Sequence, residues 1–310
     1  MTQSAPLPIP VNALRALWQA ARKRPLSGGT GALLRRSLGH SLDYREHRSY
    51  ARGDDVRHID WRASARLGRS GEYLVRTYEA EQQFRILVIV DGGPSMRLPH
   101  RFPKLTFALW IAECFALIAE WEQLEIGFAA LAAGPQSPRY TRGAAIGGTF
   151  EAFARELGSQ DAALMPDRLP FRAVDALPPA SVTLLVSDFY LAEPGELRRL
   201  VDRAARGRRQ AVLCELDTWP YERSLLSGQM VRLLPVGAAA RSGDFEPSAE
   251  EIAAADHNIE TLRRNIPDRR MSGVVRKTWT GAATSGDAAA EFRAWFPGFL
   301  TDSEILGGRT

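Results

Sequence analysis

The sequence predicts an α/β fold, a doubly wound and mostly parallel sheet of Rossmann type with an N-terminal irregular and β extension. Three observations lead there. Residues 84–90 (FRILVIV) and 182–187 (VTLLVS) are nearly continuous apolar, β-branched runs, the pattern of strands covered on both faces. Each run ends on an aspartate, Asp91 or Asp188. The segments between such runs have helical length and spacing, and strand–helix alternation builds parallel sheets. The division this suggests is a basic arm at residues 1–83 followed by an α/β domain at 84–310.

Residues 11–23 place Val11, Leu14, Leu17 and Trp18 at helical spacing, and the glycine-rich residues 27–31 break that helix. The break is a turn rather than a phosphate cradle, because Ala32-Leu33 stand where a P-loop needs Lys followed by Ser or Thr. Residues 43–66 are dense in charge and aromatics and follow neither the helical nor the strand period, so they read as irregular structure held by side-chain bonds. A short strand at 73–78 precedes the first core strand at 84–90. Helix 103–122 carries Pro103 in its first turn, where the missing N–H costs nothing, and sets Trp110, Phe115 and Trp121 in the core. A strand at 124–131, a Gly- and Pro-rich loop at 134–148 and a helix at 150–157 come next. They lead to the strand at 182–187, a helix at 193–206, a strand at 211–216 and a strand or hairpin at 229–236. Helices at 248–265 and 288–296 close the fold.

Composition is that of an ordinary globular chain, 45% hydrophobic and 25% charged, which excludes disorder as the default. The net charge of +4 is unevenly spread: residues 1–83 hold 14 Lys+Arg against 8 Asp+Glu, and the remainder 26 against 28. A basic arm suits nucleic acid, acidic lipid or an acidic protein face, but solvated or helix-capping charge is the simpler account. The arm carries no aromatic stacking platform or helix-turn-helix pattern, so nucleic acid is not the expected partner. The run Arg198, Arg199, Arg203, Arg206, Arg208 and Arg209 is a basic helix end that complements the helix dipole. The most apolar long stretch, 105–121, is interrupted by Glu113 and too short to span a bilayer, so it reads as a buried helix. Residues 1–10 lack the pattern of a signal peptide. Cys114 and Cys214 show no metal-ligand or disulfide spacing, so they read as buried thiols of a cytoplasmic protein.

In an open α/β sheet, ligands bind outside the carboxyl ends of the strands. Three polar clusters fall at such places: Asp91-Gly92-Gly93-Pro94-Ser95, Gly147-Gly148-Thr149 and Ser187-Asp188. Carboxylates and hydroxyls converging from separate loops make a hard-oxygen site of the kind Mg²⁺ prefers. A degenerate site, whose carboxylates merely cap helices, is the plainer alternative.

These clusters resemble the metal-ion-dependent adhesion site of von Willebrand factor A domains, with its Asp-x-Ser-x-Ser motif, Gly-Gly-Thr loop and later strand-end Asp. The resemblance assigns Asp91, Ser95, Thr149 and Asp188 as ligands, while Gly93 stands where a hydroxyl ligand belongs and leaves Mg²⁺ binding weak or absent. A denser match covers residues 44–96. Arg52-Gly53-Asp54-Asp55-Val56-Arg57-His58-Ile59-Asp60-Trp61 followed by Ala63-Ser64-Ala65-Arg66 resembles the signature of the bacterial domain-of-unknown-function family 58. That resemblance implies a von Willebrand-type fold and an association with MoxR-type AAA ATPases in chaperone-like systems.

For the signature segment three readings stand. A hydrolase could use Asp54, Asp55, Asp60 and His58; an adaptor could present Arg52, Gly53, Asp54, Asp55, Arg57, Asp60, Trp61 and Arg66 as a docking surface; or the segment is scaffolding with Trp61 packed beneath. Adjacent Asp54 and Asp55 point apart in an extended chain, His58 lacks a second histidine at ligand spacing, and Ser95 lacks a nucleophile-elbow frame. The expectation is therefore a non-catalytic protein–protein adaptor. A metal-dependent hydrolase using 54–60 and a nucleic-acid-associated protein using the basic arm are the alternatives.

Overall fold

A computed structural model describes residues 6–22, 44–50, 59–66, 73–78, 85–98, 104–131, 138–159, 169–179, 181–190, 195–226, 231–233, 243–267, 274–281, 287–303 and 305. In chain order its elements begin with α1 (Val11–Arg22), β1 (Tyr44–Ser49), α2 (Trp61–Arg66), β2 (Leu74–Tyr78) and β3 (Arg85–Val90). A short 3₁₀ turn (Pro94–Arg97) leads to α3 (Lys104–Trp121), β4 (Glu125–Ala130), α4 (Ala145–Ser159), α5 (Phe171–Asp175) and β5 (Val182–Ser187). Then come α6 (Gly195–Arg206), β6 (Gln210–Asp217), α7 (Trp219–Leu226), β7 (Val231–Leu233) and β8 (Gly243–Phe245). The last elements are α8 (Ala249–Asn265), β9 (Val274–Thr280) and α9 (Ala288–Asp302).

Five strands form one all-parallel sheet in the spatial order β4-β3-β5-β6-β9. Alternation along each strand sorts its side chains into two apolar layers, as the period of two requires. Ile86, Val88 and Val90 pack with Val182, Leu184, Val212 and Cys214 beneath α3, α4 and α9. Leu87 and Ile89 pack with Leu185, Ala211 and Leu213 against α5 and α6 on the other face. Helices on both faces explain why β3, β5 and β6 read as unbroken apolar runs. Leu14 and Trp18 of α1 are buried in the first layer, and Trp18 Nε1 donates to Glu122 Oε1 at 3.0 Å.

Helix α3 is wrapped by protein nearly all round, with Phe107 stacked on Trp279 at 4.1 Å and edge-on to Phe292 at 4.9 Å. Trp110 and Phe115 are buried as expected, while Trp121 is only half-buried. Among the described residues no helix is long and apolar enough to cross a membrane.

Several elements depart from expectation, among them the unforeseen α2, α5, α7 and β8. Strand β9 was not expected: it is an edge strand whose middle carries Arg276, Lys277 and Thr278, so it lacks an apolar run. Strand β1 pairs antiparallel with β2 inside the segment that showed no period, because a register shift between Tyr44 and Glu46 breaks its alternation. Helix α4 begins at Ala145, so Gly147, Gly148 and Thr149 lie within it rather than before it. Helix α9 runs through Pro297 to Asp302, carried past the proline by stacking of Phe292 on Phe296 and Trp295 on Phe299.

Glu113 sits half-buried on α3, facing α4. Burial and then the neighbouring Glu151 push its carboxyl above the ordinary glutamate range. An acid whose pKa is raised by folding opposes folding once it is ionised, and this penalty disappears when both states are protonated. Glu113→Gln is therefore expected to raise the melting temperature at neutral pH. The gain should vanish on acidification below the ordinary glutamate range, as followed by thermal melts across pH.

Candidate functional site

From β3 the chain passes through α3 to β4 on one side of the sheet, then crosses to β5 on the other. The gap between the carboxyl ends of β3 and β5 is thus the topological switch point, where doubly wound sheets open a crevice. Asp91 and Ser187 sit there on neighbouring strands, one residue beyond the paired Val90 and Val186, and Asp188 follows.

Asp91 is buried and engaged at both carboxylate oxygens. Its Oδ1 accepts from the Gly93 N–H at 2.8 Å and its Oδ2 from the Ser187 hydroxyl at 2.6 Å, while its own N–H donates to the Val186 carbonyl at 3.0 Å. The Ser187 oxygen in turn accepts from the Phe189 N–H at 2.8 Å. Ser187 thereby ties the β3 turn to the β5 turn through a single buried hydroxyl.

At Phe189 the backbone enters the left-handed region, φ +60°, a conformation bulky L-residues rarely adopt and one that costs on the order of 1–3 kcal/mol. The turn drops the Phe189 ring into the lower apolar layer and lets Asp188 face α3 on the other side of the sheet. Asp188 Oδ1 accepts from the Tyr190 N–H at 3.1 Å, and Asp188 Oδ2 lies 2.9 Å from Lys104 Nζ.

Lys104 opens α3 and is itself buried, about as completely as Asp188. Its ammonium also pairs with Glu222 Oε1 of α7 at 3.1 Å and lies 5.1 Å from the centre of the Tyr190 ring. Thr218 donates its hydroxyl to the same Glu222 oxygen. Burial acts to lower the Lys104 pKa, but Asp188 and Glu222 outweigh it, and the net shift is upward. The Tyr190 hydroxyl is pushed up by burial, then by Glu222 and Asp188. The charged form of Lys104 and the protonated form of Tyr190 are thereby favoured.

The sequence-assigned ligand set is thus divided. Asp91 and Asp188 share one rim but hold different partners. Ser95 lies half-buried in the 3₁₀ turn next to Asp91. Thr149 donates its hydroxyl to the Ala145 carbonyl one helical turn back, at 3.0 Å. It lines a groove of about 620 Å³ between β4 and α4 whose walls include Phe128, Phe153 and Arg139, and Asp91 and Asp188 take no part in it. Among the described residues no three His, Cys, Asp or Glu side chains gather as a metal-holding group. Lys104, Glu222 and Tyr190 were not foreseen. The available signal was that Lys104 is one of only three lysines in a chain with 40 basic residues.

In the signature segment, Arg52, Gly53, Asp54, Asp55, Arg57 and His58 lie outside the described residues. Asp60 caps α2: its Oδ1 accepts from the N–H groups of Arg62 and Ala63 at 3.1 and 3.0 Å. Ser64 donates to the Asp60 carbonyl at 2.7 Å and accepts from the Leu74 N–H at 2.9 Å, locking α2 onto β2. Trp61 is not packed beneath this framework. It is 62% exposed, edge-on to the 42% exposed Tyr73 with ring centres 5.5 Å apart. The cap fixes the start of α2 without covering the indole, so the first helical side chain projects outward. Arg62 and Arg66 are exposed one turn apart on the same short helix.

The cysteines follow expectation, both being free and buried, with thiols pushed up chiefly by burial. Ser187→Ala removes the donor to Asp91 and the acceptor for the Phe189 N–H together. It is expected to lower stability by about 1–3 kcal/mol, the usual cost of leaving buried polar groups unpaired, as measured by denaturant unfolding.

The chain matches the family described as "Protein of unknown function DUF58" over residues 46–215. No match is found among curated proteins. Among solved structures it is similar to the crystal structure of conserved hypothetical protein BatB from Bacteroides thetaiotaomicron, at 12% identity and a TM-score of 0.35, over 68% of this chain and 98% of that one. The family match covers more than half of the chain and spans the signature segment, Asp91 and Asp188; the chain belongs to the DUF58 family.

Proposed function

We propose that the chain is a non-catalytic protein–protein interaction module of von Willebrand factor A-like type, acting in the cytoplasm with a MoxR-type AAA ATPase. The observation that carries this reading is the exposed aromatic pair Trp61–Tyr73, held on a capped and hydrogen-bonded base, with exposed Arg62 and Arg66 on the same short helix as Trp61. Trp, Tyr and Arg are the residues over-represented at interface hot spots, where a rigid ring is buried with little loss of conformational freedom. The neighbouring guanidinium groups favour an acidic face on the partner and speed encounter with it.

The switch-point crevice supports the non-catalytic part of the reading. Its ionisable groups are consumed in internal pairs, with Asp91 held by Ser187 and Gly93 and Asp188 by Lys104. Asp60, the described acid of the candidate hydrolase segment, is spent on capping α2. The MoxR-type partner comes from the family resemblance, and two buried free thiols suit a reducing compartment.

Trp61→Ala and Arg66→Glu, made separately, are the test. Each is expected to weaken binding to the purified ATPase while leaving the thermal melt unchanged, and the tryptophan loss should cost about 2 kcal/mol or more, as hot-spot truncations do. Isothermal titration reads the affinity directly. Unchanged affinity in both variants would remove this surface from the interface.

A further inference from the structure

We infer that the switch-point site carries its own cation: the Lys104 ammonium stands in the place of a divalent ion, and Asp188 and Asp91 function without Mg²⁺. Mg²⁺ needs near-octahedral oxygen ligands at about 2.0–2.1 Å and gives up its waters reluctantly. With Lys104 occupying Asp188 and Glu222, the donors at this rim do not offer that set. Both Asp91 oxygens are engaged by the Gly93 N–H and the Ser187 hydroxyl. The Thr149 hydroxyl is engaged inside α4, and Gly93 supplies no hydroxyl at all.

What the rim offers is a fixed positive charge. Lys104 Nζ is 2.9 Å from Asp188 Oδ2 and 3.1 Å from Glu222 Oε1, distances suited to an ammonium between two carboxylates. The side chain cannot readily swing away, because it is buried and rooted in the first turn of α3, where Leu105 and Phe107 are buried too. A divalent ion bound to Asp188 Oδ2 would lie within a few ångströms of this ammonium, in a site with little water to screen the repulsion. Glu222 of α7 binds the ammonium and is itself held by Thr218, just after β6, where a metal would keep waters. Lys104 therefore supplies a cation from within the chain to Asp188 and Glu222, and the geometry of the site does not depend on the supply of an ion.

Mn²⁺ is a suitable probe, since its paramagnetism reports binding independently of any activity. The full chain is expected to bind no stoichiometric Mn²⁺ by titration with electron paramagnetic resonance, and to melt at the same temperature with Mg²⁺, Mn²⁺ or a chelator. Lys104→Ser and the longer Lys104→Gln each remove the charge and leave a neutral oxygen donor. Their melting temperatures are expected to rise with Mn²⁺, as the vacated carboxylates accept the ion. One tight Mn²⁺ per wild-type chain, lost in Asp91→Ala, would overturn the inference. So would Lys104 variants that fold yet ignore Mn²⁺, because then the lysine is not what excludes it. If both variants are unfolded without metal, recovery on adding Mn²⁺ supports the assignment and no recovery counts against it.

Discussion

The ion pair between Lys104 and Asp188 is the constraint around which the rim is arranged. Burying a carboxylate at a strand end costs several kcal/mol unless a partner charge is buried with it, and losing either partner strands the other. The strained Phe189 turn, the position of α3 and the placement of α7 all serve this pair. The turn aims Asp188 at α3, α3 delivers the ammonium from its first turn, and α7 brings Glu222 to the second side of the cation. The strain at Phe189 is offset by burying its ring in the lower layer and by the hydrogen bond from its N–H to Ser187.

A second buried charge cluster follows the same logic further along the sheet. Glu215 of β6 is buried and accepts from Arg276 of β9 at 2.6 Å and from the Thr278 hydroxyl at 2.8 Å, and it pairs with Arg263 of α8 at 3.3 Å. Asp217, whose carboxyl burial pushes above the ordinary aspartate range despite the opposing pull of Arg263, pairs with the same arginine. Helix α8 has no fully buried residue, and these pairs help to fasten it, together with the contacts of Asp256 to Trp219 and Arg223. The rim thus carries internal ion pairs at two places.

How much of this was legible in the sequence depends on whether the signal was local. Strands β3, β5 and β6 announce themselves because both faces are covered, and the aspartates that end β3 and β5 mark the rim. Strand β9 stays hidden because an edge position tolerates Arg276 and Lys277. The start of α4 is masked by Gly147 and Gly148, residues that weigh against a helix yet have open space around them here. The partner of Asp188 could not be read from spacing. Lys104 meets Glu222 across 118 residues of sequence, and only the parallel topology brings α3, β5 and α7 to one end of the sheet. Trp61 misled in the opposite sense, since an indole amid charge suggests packing, whereas the Asp60 cap leaves it exposed.

The most direct test of the central claim is the coupling energy between Lys104 and Asp188, from a double-mutant cycle with Lys104→Met and Asp188→Asn in denaturant unfolding. Two groups that exist to neutralise each other should be strongly non-additive, with the double variant recovering about 2–3 kcal/mol relative to the sum of the single losses. Losses that add within about 0.5 kcal/mol would mean the two charges are held independently and would contradict this account of the rim.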